Sequence, residues 1–115
     1  MKKASIKHNL QFGKDKVALT KILDTPFSRE LRILLKNGQQ MKSHTAPYPI
    51  IVHVLSGAID FGVQGDIVAL KTGEIITLES SNPHDLKAVE DSEVRLSLSK
   101  KDTAARVKGV VSLWR

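Results

Sequence analysis

The sequence predicts an all-β domain, a sandwich or closed barrel of roughly eight to ten short strands. Three observations carry this. Short apolar runs recur at even spacing, some in strict alternation, such as Val94, Leu96 and Leu98 against Arg95, Ser97 and Ser99. Turn residues separate the runs: Asn37-Gly38, Ser56-Gly57, Gln64-Gly65-Asp66, Thr72-Gly73 and Asn82-Pro83. Helical periodicity is confined to one short stretch, Asp102 to Val107.

The elements follow in order. Val17 to Leu23 reads as a strand, and Leu31-Arg32-Ile33-Leu34-Leu35 as the next. Asn37-Gly38 ends it and Gln40 to His44 returns. Both turn residues accept positive φ, so the pair predicts a hairpin. Ile50 to Leu55 is apolar throughout, the mark of a buried central strand. Alternation puts Ile50, Val52 and Val54 inside and Ile51, His53 and Leu55 on the opposite face. Ala58 to Phe61, Ile67 to Leu70 and Ile75 to Leu78 continue the pattern between their turns. Pro83 cannot sit inside a central strand, so Asn82-Pro83 is a loop leading into His84 to Val89. A loose internal echo, strand–turn–strand ending in histidine, spans Gly38 to His44 and again Gly73 to His84. It fits a fold built from two related halves.

The chain has 115 residues, 41% of them apolar, which suits one domain with one core. The absence of cysteine excludes disulfides and thiolate metal sites. No apolar stretch follows Met1-Lys2-Lys3, which predicts neither a signal peptide nor a membrane span, and hence a cytoplasmic protein. Lys and Arg number 18 against 12 Asp and Glu, for a net charge of +6. Nucleic-acid platforms interleave aromatics with basic groups, but Phe12, Phe27, Tyr48, Phe61 and Trp114 are scattered. The reading is therefore no nucleic-acid partner, with the charge serving solubility and a mild attraction for anions.

On the glycine–histidine spacings, the chain resembles the cupins, and among them the very short single-domain members. The first cupin motif, G-x5-H-x-H-x3-4-E-x6-G, is matched by Gly38, His44 and Gly57. The second, G-x5-P-x-G-x2-H-x3-N, is matched by Gly73 and His84. The resemblance implies a double-stranded β-helix, or jelly-roll barrel. It implies a single domain over residues 1–115, with the barrel core at about 30–99. The departures bear on function. Ala46 and Ile50 stand where the first motif has its second histidine and its glutamate; Glu79, Ser81 and Ala88 replace the proline, glycine and asparagine of the second. In metal-binding cupins three histidines and the glutamate hold a divalent ion. Of those four ligand positions this chain keeps His44 and His84.

Two neutral imidazoles can contribute to a zinc, nickel, iron or copper site, although a stable one usually has at least three protein ligands. The expected cofactor is one weakly held divalent transition metal between His44 and His84, or none. Glu79 and Asp85 flank the second histidine, but alternation turns Asp85 away from the face of His84, Leu86 and Ala88. His53 falls on the outer face of its strand, and His8 reads as an ordinary residue of the basic N-terminal segment. Ile50 in place of glutamate makes the pocket more apolar, the usual profile of a small-molecule site. Tyr48, between Pro47 and Pro49, is either a hydrogen-bond donor at the mouth or a lid on the rim. Lys42 would add charge to the pocket only by turning inward; facing solvent is its ordinary reading. The expected ligand-binding set is therefore His44, Tyr48, Ile50 and His84, with no catalytic residue assigned. Epimerases that resemble cupins pair a histidine base with a tyrosine acid. This chain lacks the length and the arginines of a nucleotide-sugar site.

The leading functional expectation is a small-molecule-binding cupin of unassigned role. Two alternatives stand beside it. One is a metal-dependent enzyme of dioxygenase or isomerase type. The other is a ligand-sensing regulatory module, acting through another protein because no helix-turn-helix accompanies it. Ile51 and Leu55, with Met41, Val110, Val111, Leu113 and Trp114, would leave an apolar patch on a monomer, so a homodimer is expected.

Overall fold

The computed structural model describes residues 1–7 and 10–100. Nine strands run through them: β1 (Ala18–Asp24), β2 (Ser28–Leu35), β3 (Gln40–His44), β4 (Ile50–Ser56), β5 (Ala58–Val63), β6 (Asp66–Lys71), β7 (Ile75–Leu78), β8 (His84–Ala88) and β9 (Ser92–Ser99). No helix occurs among the described residues, and none therefore is long and apolar enough to cross a membrane. The helical stretch expected at 102–107 lies outside the described residues. So do His8, Val110, Val111, Leu113 and Trp114.

The strands form two antiparallel sheets, one of order β1-β2-β9-β4-β7 and one of order β3-β8-β5-β6. The chain is an all-β jelly roll. Alternating side chains fill the space between the sheets. Ile33 and Leu35 of β2, Val52 and Val54 of β4, and Val94 of β9 are almost completely buried. From the other sheet Ile59 and Phe61 of β5 and Ala88 of β8 meet them. The inward and outward faces of β4 are as alternation predicts: Ile50, Val52 and Val54 are buried, whereas Ile51 is 44% exposed.

The expected hairpin at Asn37-Gly38 does not form. β2 pairs with β1 and β9, whereas β3 crosses to the other sheet and pairs with β8. The turn itself is present: Gly38 has φ +89° and the Gln39 N–H donates to the Lys36 carbonyl at 2.9 Å. Its outer contacts explain the difference. The Gly38 N–H donates to the Ala88 carbonyl, and the Asn37 N–H to Asp91 Oδ1, so the turn is tied to the end of β8 and the loop beyond it. A sheet-to-sheet corner needs the same positive φ as a hairpin, and local sequence cannot separate the two. The two-residue hairpin with positive φ at both positions lies instead at Gln64 (51°) and Gly65 (85°), between β5 and β6.

Gly57 has a second constraint. At φ +91°, a Cβ there would collide with both the Asp91 carbonyl oxygen and Ser92 Oγ. That hydroxyl accepts from the Ala58 N–H, so the β4–β5 turn packs directly on the start of β9.

Candidate functional site

β3 and β8 lie side by side, and their register sets His44 directly opposite His84. Forty positions apart in the chain, the two rings meet edge to face with centroids 4.3 Å apart. His84 is 3% exposed and its ring also stacks on Phe61 at 5.7 Å. His44 is half-buried.

Both rings are held the same way. His44 Nδ1 lies 2.8 Å from the Lys42 carbonyl oxygen, and His84 Nδ1 lies 2.9 Å from the Asn82 carbonyl oxygen. A carbonyl only accepts, so Nδ1 carries the hydrogen in each ring. Each neutral ring then keeps its lone pair on Nε2. The internal echo read from the sequence thus ends in one repeated device, a histidine locked to the carbonyl two residues before it.

Burial pushes the His84 imidazole below its ordinary value of 6.5. The Asn82 carbonyl and Asp85 pull it back up, and the neighbouring His44 pushes it further down, with burial prevailing. Near neutral pH, His84 is therefore an uncharged hydrogen-bond acceptor toward the interior.

The pair opens on a cavity of about 610 Å³ at one end of the sandwich. That lies within the range of about 300–1,000 Å³ typical of ligand sites. Its apolar wall comes chiefly from Leu31, Met41, Leu96 and Leu98. Thr45, Ala46, Pro47 and Tyr48 line it from the β3–β4 loop. Ile50 does not line it. It is 2% exposed within the core, level with Leu78 on one neighbouring strand and Leu98 on the other. Lys42, Glu79 and Asp85 are exposed and also lie outside the lining, as does the half-buried His53 on the outer face of β4.

Several lining residues escaped the sequence reading. Met41 was expected on an outer face, yet it lines the cavity three residues before His44. A register shift between Met41 and His44 brings both to the same face, where plain alternation would separate them. Arg29 and Lys100 are the charged residues among those lining the cavity. Arg29 shares its alternation with Leu31, Ile33 and Leu35, and Lys100 with Leu96 and Leu98. Extending those apolar rows by one step would have found them.

The donors present do not fit a tightly held divalent metal. Among the described residues no group of three or more His, Asp or Glu side chains converges. Ala46, at the second histidine position of the first cupin motif, offers a methyl group to the cavity. Two Nε2 lone pairs leave at least half of a tetrahedral coordination sphere to be supplied from elsewhere.

Comparison with known proteins agrees with the fold. An RmlC-like cupin from Desulfovibrio desulfuricans superposes with a TM-score of 0.79 at 20% identity, covering 86% of this chain and 96% of that one. TT1209 from Thermus thermophilus superposes at 0.77 and 15% identity, over 88% and 100% of the two chains. KdgF from Halomonas sp. superposes at 0.73 and 20% identity, over 85% and 93%. At these identities the likeness is one of fold. No functionally curated protein matches the sequence. The family profile of the cupin domain matches residues 31–99, more than half of the chain, and on that match the protein belongs to the cupin family.

Proposed function

We propose that the protein binds a small organic molecule in the cavity between its sheets, with His44 and His84 as the polar pole and Tyr48 at the rim. One observation carries the reading: two imidazoles in contact, each with its Nε2 lone pair left unused, open into a cavity whose wall is otherwise largely apolar. Such a cavity excludes water from most of a ligand's surface and leaves a few hydrogen bonds to fix its orientation. Ile50 supports the site from the core behind it and makes no contact with the ligand.

A divalent ion held by the two imidazoles would draw its remaining positions from water or ligand, so its occupancy is low and depends on added metal. Assembly as a homodimer follows from the outer sheet face, where Ile51 and Ile75 are 44% and 58% exposed on adjacent strands. Light scattering that finds only monomer at micromolar concentration would overturn the dimer. A cytoplasmic location belongs to the same reading, and cell fractionation tests it.

The ligand reading is tested by a thermal-shift screen of small organic compounds on the wild type, His44→Ala, His84→Ala, the double variant and Ala46→Phe. Ligands stabilise a fold by mass action. Compounds that raise the melting temperature of the wild type should lose their effect in Ala46→Phe, where an added phenyl ring fills the mouth. The two histidine substitutions should be strongly non-additive, because both act on one pole. Equal stabilisation of the Ala46→Phe protein, or simple additivity, would overturn the reading.

A further inference from the structure

Resting on the reading of this cavity as a ligand site, we propose that its ligand is a small carboxylic acid with an apolar body and a hydroxyl group. The two walls differ in chemistry. On the β3–β8 wall, His44 and His84 present hydrogen-bond acceptors. On the facing β2–β9 side, Arg29 and Lys100 present cations. Between these poles the lining is carried by Leu31, Leu96 and Leu98, and no Asp or Glu lines the cavity among the described residues.

The cations are only partly neutralised. Among the described residues Asp24, on β1 beside Arg29, is the carboxylate that serves them. Its Oδ1 accepts from Lys100, while its Oδ2 lies 3.6 Å from Arg29 and 3.9 Å from Lys21. Among the described residues one carboxylate therefore serves both lining cations, Arg29 and Lys100, an excess of one positive charge at one end of a mostly apolar cavity. Among the described residues the Arg29 guanidinium makes only this long contact with Asp24. It keeps paired N–H donors in the planar fork that fits a carboxylate. A ligand carboxylate placed there supplies the missing negative charge. The far pole selects for a donor: a neutral imidazole whose Nδ1–H is already engaged can only accept at Nε2. A ligand hydroxyl completes that bond.

The test uses the full-length protein and three probes sharing one phenol ring: 4-hydroxyphenylacetate (anionic), 4-hydroxyphenylacetamide (neutral) and tyramine (cationic), titrated calorimetrically. Arg29 and Lys100 are 50% and 31% exposed, so their combined effect is moderate, about tenfold in affinity. The acid should bind about tenfold more tightly than the amide, and tyramine more weakly than either. Added salt should weaken the acid and leave the amide unchanged. Replacing both cations (Arg29→Gln with Lys100→Gln) should bring the acid down to the amide's affinity. The salt series on wild type gives the same answer should that variant misfold. Equal binding of acid and amide, with no salt dependence, overturns the anion preference; if Ala46→Phe still abolishes binding, the cavity reading survives. Binding of none of the three, or binding that persists in Ala46→Phe, overturns both.

Discussion

Acidification from about pH 8 to about pH 5.5 should destabilise the fold through His84. Burial against Phe61 and the adjacent His44 ring disfavour its charged form, so its folded-state pKa lies below the ordinary 6.5 of the unfolded chain. Between those two values the unfolded state binds more protons, and stability falls as pH falls. Above 6.5 the penalty is absent; it grows below 6.5 until the folded pKa is reached. One proton sets a ceiling of about 1.4 kcal/mol per pH unit on the slope. Two carboxylates work in a separate window. Glu30 is pushed up by burial, but hydrogen bonds from Ser97, Ser28 and Arg95 outweigh that and hold it below 4.5. Asp24 is held below 3.8, first by its hydrogen bond from Lys100. Their contributions are present above those ordinary values and are lost only as pH falls through the lower folded ones. Urea denaturation at intervals across the range gives the midpoint and slope for wild type and for His84→Gln. The glutamine amide does not titrate. The difference between the two curves should decline with acid below pH 6.5. A flat wild-type curve, or an identical slope in His84→Gln, would show that burial of His84 does not set the acid sensitivity.

Two further predictions concern the turns and the metal. Gly57→Ala should cost about 2–4 kcal/mol, adding a close clash with Asp91 and Ser92 to the left-handed backbone. Gly65→Ala, where nothing lies within 4 Å, should cost about 1–2 kcal/mol from backbone strain alone. Equal urea midpoints for the two variants would contradict the packing described for the β4–β5 turn. Protein dialysed without chelator should retain a transition metal in fewer than about one chain in ten, since only two nitrogens are offered. Stoichiometric retention, measured by elemental analysis, would show a donor set beyond these two histidines.

How far the sequence could be read depended on whether the governing physics was local. Gly38, Gly57 and Gly73 were identifiable because each turn demands positive φ of its own residue, whatever the chain does next. The meeting of His44 and His84 followed from the cupin spacing and the repeated strand–turn–strand pattern. What failed was non-local. Asn37-Gly38 is a sound turn whose destination depends on Ala88 and Asp91, some fifty residues away. Met41 was misplaced because a register shift in β3 breaks the period-two rule, and no residue between Met41 and His44 announces it. Arg29 and Lys100 were missed because charge at a strand end resembles a solvated terminus. Their place in the inward rows of Leu31, Ile33 and Leu35 and of Leu96 and Leu98 was the signal that marked them. Ile50 was assigned to the pocket by motif position, whereas β4 alternation turns it into the core beside Leu98.

Two histidines, fixed alike by backbone carbonyls, form one polar pole with both Nε2 atoms as acceptors. Nitrogen-15 histidine NMR at about pH 8, where neutral imidazole prevails, tests it most directly. Both His44 and His84 should show the Nδ1–H tautomer, with nuclear Overhauser contacts between their ring protons. Nε2–H tautomers, or rings without mutual contacts, would contradict it.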